Sequence, residues 1–508
     1  MSHWGERIRA IRKKLRLICG ANLLFWTMIV CCGCGSVGEA VMAEASNQSG
    51  VALESLSGND AQAGGLVDNI LSEDADAAPT DGLDKTEANP ENGKDAADKE
   101  NVSGNDIGQQ EDAQDITESA DTEEEADTRR EPVKVKGIYV SGPVAGVGKM
   151  DDLIALVDET ELNAMVIDIK NDEGKVTYEM QSEQVMEIGA GVGYIADINE
   201  LVAKCREKEI YLIARIVAFR DPYLAEQKPE WAVHTKDGEV FRDKNGLAWV
   251  NPYEQGVWDY LAEIASYAAE VGFDEIQFDY IRFSTDVREE EVDYGKEAEK
   301  TDKIGIITQF TEYMYEKLSP LGVYVAADVF GTVIDNEIDQ KIVGQDYVEM
   351  AGCLDYICPM VYPSHYHNGA YGISVPDAEP YRTIYAASSA SVRQLQEVAE
   401  TDRAGVRMWL QGFTASWVPG HISYGAQQLR EQIKGAYNAG YEEWIVWNAA
   451  VNYKRTSFLT EEEAEAERAR WEEEKEKAVQ GEAPVPQTEE KQPEGQDNTQ
   501  PETVSGNG

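Results

Sequence analysis

Positive charge is scarce in this chain: 45 Lys and Arg residues stand against 95 Asp and Glu, a formal net charge of −50 over 508 residues. Neutralising phosphates takes clustered Lys and Arg, so this balance excludes nucleic acid as a partner. It is also too lopsided for one ordinary folded surface, and most of the excess belongs to unfolded segments. Cysteine and histidine are scarce as well, with seven and five residues. Four of the cysteines (Cys19, Cys31, Cys32 and Cys34) crowd near the N-terminus, which leaves Cys205, Cys353 and Cys358 for the rest. No CxxC or His-rich spacing marks a zinc site, so neither a metal nor an organic cofactor is expected. Those three cysteines read as buried free thiols, with Cys353 to Cys358 the one plausible disulfide. No GxGxxG follows the first candidate strand, which counts against a dinucleotide fold.

What is present first is an N-terminal layout for export. Arg12, Lys13, Lys14 and Arg16 precede an apolar run from about Leu17 to Cys34, and Ala43-Glu44-Ala45 has the small-x-small pattern of a signal-peptidase site. The run is also about long enough to span a bilayer, and Cys34 sits in a lipoprotein-like context, so cleaved, lipid-anchored and uncleaved forms stay open. Residues 1–45 are therefore read as signal peptide or membrane anchor, which places the remainder outside the cytoplasm. Residues 46–131 are Asp, Glu, Ala, Gly, Asn and Ser with almost no aromatics. Such a segment cannot bury enough apolar surface to offset its chain entropy, and it reads as a disordered tether. For roughly 85 residues its mean span would be on the order of 50 Å. Residues 461–508 read as a charged surface helix ("EEEAEAERARWEEEKEKA") followed by a disordered Pro/Gln/Glu-rich tail.

Between these flanks, residues 132–460 alternate apolar strands with amphipathic helices. The strand candidates are "KGIYVSG", "AMVIDIK", "YLIARIVAF", "DEIQFDYIRF", "VYVAADVFG", "LDYICPMVYP", "VRMWLQGF" and "EWIVWNAA". Stretches such as "IADINELVAKCREKE" and "QGVWDYLAEIASYAAEVG" place apolar residues at i, i+3, i+4 and i+7, and several end in the glycine of a helix C-terminus. Eight strand–helix repeats fit a closed (β/α)8 TIM barrel better than an open sheet.

A barrel accounts for the polar residues inside apolar strands. Side chains alternate, so Glu275, Gln277 and Asp279 share one face of their strand. The interior of the fold is expected to be apolar layers, with polar groups at the C-terminal mouth where its active sites are built. Most strands end in such a group: Asp168 and Lys170, Arg215, Asp279 with Arg282 just after it, Asp328, Tyr362 and His365, Gln411, and Asn448. Polar endings on most strands at once point to one shared cleft. Trp249, Trp258, Tyr362, Tyr366, Trp409, Trp417 and Trp447 are dense around these ends. Paired carboxylates among aromatic rings suit a sugar, whose C–H faces stack on aromatics and whose acetal needs an acid plus a nucleophile or base. Trp258 and Trp444 are expected to be packing residues, and Trp249, Tyr366 and Trp417 sugar platforms.

The ordered set "IDIKNDEG", "IARIVAFRDPYLA", "WVNPY", "GFDEIQFDYIRF", "ADVFG", "PMVYPSHY", "MWLQGFT" and "WNAAVNY" resembles a glycoside hydrolase barrel family, formerly a domain of unknown function, grouped with α-amylase-like TIM barrels. The resemblance covers Val133 to Tyr453. It implies a nucleophilic Asp at the end of the fourth strand, which falls on Asp279. The fifth strand offers Asp328 where the α-amylase pattern has a Glu acid, and the seventh offers Gln411 where that pattern has a carboxylate. The expected protein is an exported, monomeric glycoside hydrolase acting on a polysaccharide. Asp279 would serve as nucleophile or base and Asp328 as general acid, with Asp168, Lys170, Arg215, Gln277, Arg282, Tyr362, His365, Gln411, Trp417 and Asn448 binding substrate. The alternative is a carbohydrate-binding barrel without catalysis, tethered to the envelope. Carboxyls about 5–10 Å apart in one pocket would favour hydrolysis; a carboxylate bonded away into a salt bridge would favour binding.

Overall fold

Each of the eight apolar runs forms a parallel strand, numbered here β1 (Lys136–Val140), β2 (Ala164–Lys170), β3 (Tyr211–Val217), β4 (Glu275–Asp279), β5 (Tyr324–Phe330), β6 (Tyr356–Met360), β7 (Met408–Gln411, extended at its start by Gly405–Val406) and β8 (Trp444–Trp447). They pair in sequence order, and β8 pairs back onto β1 through Lys136↔Trp444, Gly137↔Ile445 and Ile138↔Val446. That last pairing closes the sheet, so the fold is the (β/α)8 barrel expected from the strand–helix alternation. This is a computed structural model describing residues 131–396 and 398–479. The expected signal or anchor, the tether up to residue 130 and the tail after residue 479 lie outside the described residues. Among the described residues no helix is long and apolar enough to cross a membrane.

The wrapping helices follow from the 3.6-residue pattern. They are α1 (Lys149–Asp158), α2 (Ile198–Glu207), α3 (Gln255–Val271), α4 (Lys303–Leu318), α5 (Tyr347–Ala351), α6 (Pro380–Leu395) and α7 (Ala426–Ala439). In α3, Val257, Trp258, Leu261, Ile264, Ala265 and Ala268 are all buried, one stripe against the sheet. Asp197 and Asp302 cap α2 and α4 by accepting from the backbone N–H three residues on. The outer faces of the strands meet these helices through aromatic contacts: Phe310 of α4 packs edge-on against Phe278 of β4 (5.6 Å between centroids) and against Trp258 (5.6 Å). Trp258 and Trp444 are both buried packing residues. A second unit begins at Leu459, and its described part is the charged helix α8 (Glu461–Val479).

The barrel interior departs from the apolar layers expected of it. Glu275, the first interior residue of β4, is fully buried and accepts from the Arg407 guanidinium at 2.7 Å and from the Tyr211 hydroxyl at 3.0 Å. Arg407 also pairs with Glu443 at 3.0 Å and lies 4.1 Å over the Tyr356 ring. One pleat higher, Gln277 donates to the Cys358 thiol at 3.2 Å. Cys205, Cys353 and Cys358 are all free and buried, so the Cys353–Cys358 disulfide does not form. Glu275, Arg407 and the Gln277 amide nitrogen find partners across the bore, the condition for burying them, while Gln277 Oε1 is buried without a hydrogen bond among the described residues.

The N-terminal end of the bore is thus plugged by a salt bridge, and breaking it should be costly. Arg407→Met would leave Glu275 buried without a cation, a loss of about 3–5 kcal/mol. Urea denaturation should show a clearly lowered midpoint; an unchanged midpoint would mean that the Tyr211 hydroxyl alone suffices for this carboxylate.

Candidate active site

Strand register brings the first charged pair together at the other end. Asp168 of β2 lies directly opposite Arg215 of β3, while Asp279 of β4 is in register with Val217, one pleat above. The Arg215 side chain, buried among these strands, serves both neighbours. It donates to Asp168 Oδ1 at 2.7 Å, and through Nε and Nη2 to Asp279 Oδ2 at 2.9 and 2.7 Å. A third carboxylate, Asp172, joins from the loop after β2 at 3.1 Å, its side chain 36% exposed at the mouth. One guanidinium therefore holds three carboxylates.

That ratio shapes the titration of the cluster. Burial, aided by Asp172, pushes Asp168 up to about 6 despite Arg215 beside it. Its Oδ2 accepts from the Tyr139 hydroxyl at 2.5 Å. Burial acts to raise Asp172 too, but Arg215 and Arg220 outweigh it and hold its carboxyl below the usual range. Asp279 is fixed by two partners, since its Oδ1 accepts from the Tyr280 amide at 2.6 Å. Tyr280 reaches that position with φ of 50°, the left-handed region, at a cost of about 1–3 kcal/mol for a bulky residue. The Arg220 guanidinium donates to the Tyr280 hydroxyl at 2.6 Å and supports this turn.

Asp328 sits on the adjacent strand one step beyond the Phe278↔Ala327 pair, hence level with Asp279. Its environment is different in kind. Oδ1 accepts from the Trp409 indole at 2.6 Å, while Oδ2 is buried and makes no hydrogen bond among the described residues. The side chain is nearly inaccessible, and burial first, then the charge of Asp279, lift its pKa well above the ordinary carboxyl value. Tyr362 lies beside the pair: burial and the charges of Asp328 and Asp279 raise its phenol.

Other expected site residues are engaged elsewhere. Lys170 is fully buried, bonded to Asp221 at 2.8 Å and to the Val217 carbonyl at 2.6 Å, because the register shifts between Asp168 and Lys170 and turns it away from the mouth. Gln277 lies a pleat below the carboxylates. Gln411 accepts from the Ser364 amide and donates to Asp377, tying two loops together. Asn448 donates to the Gly412 carbonyl at 2.8 Å and accepts from the Ala450 amide. Arg282 is buried between aromatic rings, 4.4 Å from the Phe330 centroid and 5.1 Å from that of Trp249. His365 is half-buried, its Nδ1 3.0 Å from the Ser364 hydroxyl. Of the three expected sugar platforms, Trp249 and Tyr366 are buried and only Trp417 is exposed. Trp249 instead donates to Asp243 within a small antiparallel patch after β3.

Sequence reasoning missed Tyr139, Asp172 and Arg220. Tyr139 and Trp447, whose rings lie 4.1 Å apart, form one wall of the mouth, with Arg215 5.4 Å from the Trp447 centroid. Asp172 could have been found, since it lies two residues past the end of β2, where barrel loops carry function.

A closed parallel barrel with carboxylates gathered at the C-terminal mouth is the layout of a TIM-barrel enzyme. The family described as "Putative glycosyl hydrolase domain" matches residues 137–453, which include every site residue named above. The chain belongs to this family of glycoside hydrolase domains. Among curated proteins none matches. Of solved structures, a hypothetical protein from Ruminiclostridium thermocellum ATCC 27405 is 38% identical over 38% of this chain and 97% of its own, with a TM-score of 0.35. The glycoside hydrolase domain of PgaB (BpsB) from Bordetella bronchiseptica is 16% identical over 66% of this chain and 98% of its own, with a TM-score of 0.47. An alpha-galactosidase from Thermus thermophilus is 13% identical over 68% and 63%, with a TM-score of 0.39.

The raised pKa of Asp328 has a consequence for stability. A carboxyl whose pKa is higher folded than unfolded holds its proton better in the native state, so stability is lost as pH rises above the unfolded value of about 4. Asp328→Asn mimics the protonated form and removes that loss. The melting temperature of the variant relative to the parent should climb as pH rises above about 4 and level off once pH passes the folded pKa; a flat difference would show that Asp328 titrates alike in both states.

Proposed function

We propose that the protein is an exported glycoside hydrolase that cleaves a polysaccharide with Asp279 and Asp328 as its reacting pair. The observation that carries this reading is the contrast between two carboxyls level with each other on adjacent strands. Asp279 has its charge compensated by Arg215 and oriented by the Tyr280 amide. Asp328 has one indole donor and keeps its proton to a higher pH than an ordinary carboxyl. Environments that push two carboxyls apart are how such a site divides the roles of acid and base. Asp328 would protonate the departing glycosidic oxygen, while Asp279 would attack the anomeric carbon or activate water against it. Asp168, Asp172 and Arg215 would face the sugar from the neighbouring strands, with Tyr139 and Trp447 as an apolar wall. Export is supported by the basic cluster and apolar run at the N-terminus.

A second reading, carbohydrate binding without hydrolysis, is favoured by one observation. Asp279 gives its Oδ2 wholly to Arg215, and Asp328 is only 1% exposed. Substrate would have to draw both carboxyls toward the reacting bond, as catalytic hydrogen bonds in unliganded sites often tighten only on binding.

The two readings part on turnover. Against a panel of bacterial and plant glycans, the parent protein should release reducing ends. Asp279→Asn and Asp328→Asn should each lower turnover by at least about 10³-fold, about 4 kcal/mol of transition-state stabilisation. Retention of parental activity by either variant would remove that residue from the mechanism; glycan binding with no release of reducing ends by the parent would establish the second reading.

A further inference from the structure

The mouth of the barrel is chemically lopsided. On the β2–β4 side it is crowded with charge: Asp168, Asp172, Arg215, Arg220, Asp279 and Arg282. The loops after β6 and β7 are sparsely charged: the carboxylates Asp377 and Glu379 lie at the end of the first, where Asp377 is buried and bonded to the Gln411 amide and the Ile422 backbone. Residues 361–376 (VYPSHYHNGAYGISVP) and 412–425 (GFTASWVPGHISYG) contain no Asp, Glu, Lys or Arg, in a chain in which those residues make up 28% of the total.

These two loops place aromatic rings in a row leading away from the carboxyls. Tyr362, beside Asp328, meets Phe413 edge-on at 6.0 Å, and Phe413 in turn lies near-parallel to Trp417 at 6.0 Å with a 22° interplanar angle. His365 completes the group, 5.1 Å from Tyr362 and 6.4 Å from Phe413. Exposure rises along the row, from buried Tyr362 through half-buried Phe413 to Trp417 at 39%. Thr414 and Ser416, between Phe413 and Trp417 in the chain, are both exposed, and Thr414 Oγ1 accepts from the Tyr424 amide at 3.0 Å. Trp417 is thus the solvent-facing end of a contiguous aromatic group and not a singly exposed side chain.

We infer that the Tyr362–Phe413–Trp417 row is a binding track for a neutral sugar chain, carrying it from the carboxyl pair out over the β6–β7 rim. The inference rests on the carbohydrate reading above and narrows it to a substrate class. A sugar ring offers an apolar C–H face for Phe413 and Trp417 and hydroxyl edges for His365, Thr414 and Ser416. A uronate or an unacetylated amino sugar would call for a counter-charge, and residues 361–376 and 412–425 hold no Asp, Glu, Lys or Arg to supply one, while Asp377 just beyond is buried and bonded to Gln411. Continuity with the carboxyl pair makes the occupant the substrate itself, and a track on one side of the pair means that several units are held at once.

The test is binding of oligosaccharides to the full protein carrying Asp279→Asn, followed by calorimetry and tryptophan fluorescence. The probes are the neutral hexaoses of cellulose, laminarin, starch, xylan and mannan, with chitosan hexamer and hexagalacturonate as charged comparisons. At least one neutral hexaose should bind, more tightly than its own disaccharide and than either charged oligomer. Trp417→Ala should weaken that binding at least about tenfold, the scale of a lost aromatic stack. Tighter binding of a charged oligomer, an unchanged Kd in Trp417→Ala, or no binding of any neutral hexaose would each overturn the track. Failure of the hydrolase reading gives another pattern: Trp417-dependent binding persists, while the protein with Asp279 intact cuts none of the bound chains.

Discussion

A buried guanidinium organises this molecule. Arg215 has almost no contact with water, and a cation so placed survives only if carboxylates surround it. Asp168, Asp279 and Asp172 meet that need from two strands and a loop. Arg220 adds a second cation near Asp172, and burial then sets how the remaining carboxyls hold their protons. Burial pushes Asp168 up to about 6 and also raises Asp328, which has no cation at hydrogen-bond distance, well above the ordinary carboxyl value. Without Arg215 the four carboxyls would repel one another across the bore. With it three of them are gathered around one cation, while Asp328 stands apart on the Trp409 indole.

The same logic is repeated at the floor of the barrel, where Arg407 joins Glu275 and Glu443. The bore is therefore held by two arginines, one at each end, with Gln277 and Cys358 between them. Hydrophobic burial is carried by the outer faces of the strands and by the helices. Close packing at the rim keeps the ends of neighbouring strands near one another: a Cβ on Gly331 would meet the Met360 carbonyl at 2.5 Å, so the glycine of "ADVFG" lets β5 end against β6. The seam between β1 and β8 is fastened by the Tyr453 hydroxyl, which donates to the Tyr139 carbonyl at 2.9 Å. Tyr453 thus steadies the strand that presents Tyr139 to Asp168.

The architecture separates two tasks at the mouth. Charge is concentrated over β2, β3 and β4, where strand register can deliver oppositely charged side chains to one another. Aromatic and hydroxyl groups occupy the loops after β6 and β7, where the carboxylate of Asp377 is buried and spent on loop contacts. A glycoside hydrolase domain needs both, because a glycosidic bond is broken by carboxyls and a sugar chain is held by rings and hydroxyls.

The sequence by itself determined the eight strands, their alternation with helices and hence the closed barrel, because periods of 2 and 3.6 are written residue by residue. It also determined that Asp168, Arg215, Asp279 and Asp328 lie in the C-terminal halves of their strands, and that Trp417 lies in a loop. It could not say which polar endings meet. Lys170 and Asp168 are two residues apart and look equivalent, yet a register shift sends one to Asp221 and leaves the other on Arg215. Gln411 and Asn448 lie at the C-terminal ends of β7 and β8, near the same mouth as Asp328, but their amides are consumed in fastening loops. Trp249 and Trp417 are the same residue type near the same mouth, and only the fold of the patch after β3 decides that one is covered. Residue type and periodicity are local; partners, burial and the pKa values that follow from them are set by side chains brought together from distant parts of the chain, as Arg407 is brought to Glu275.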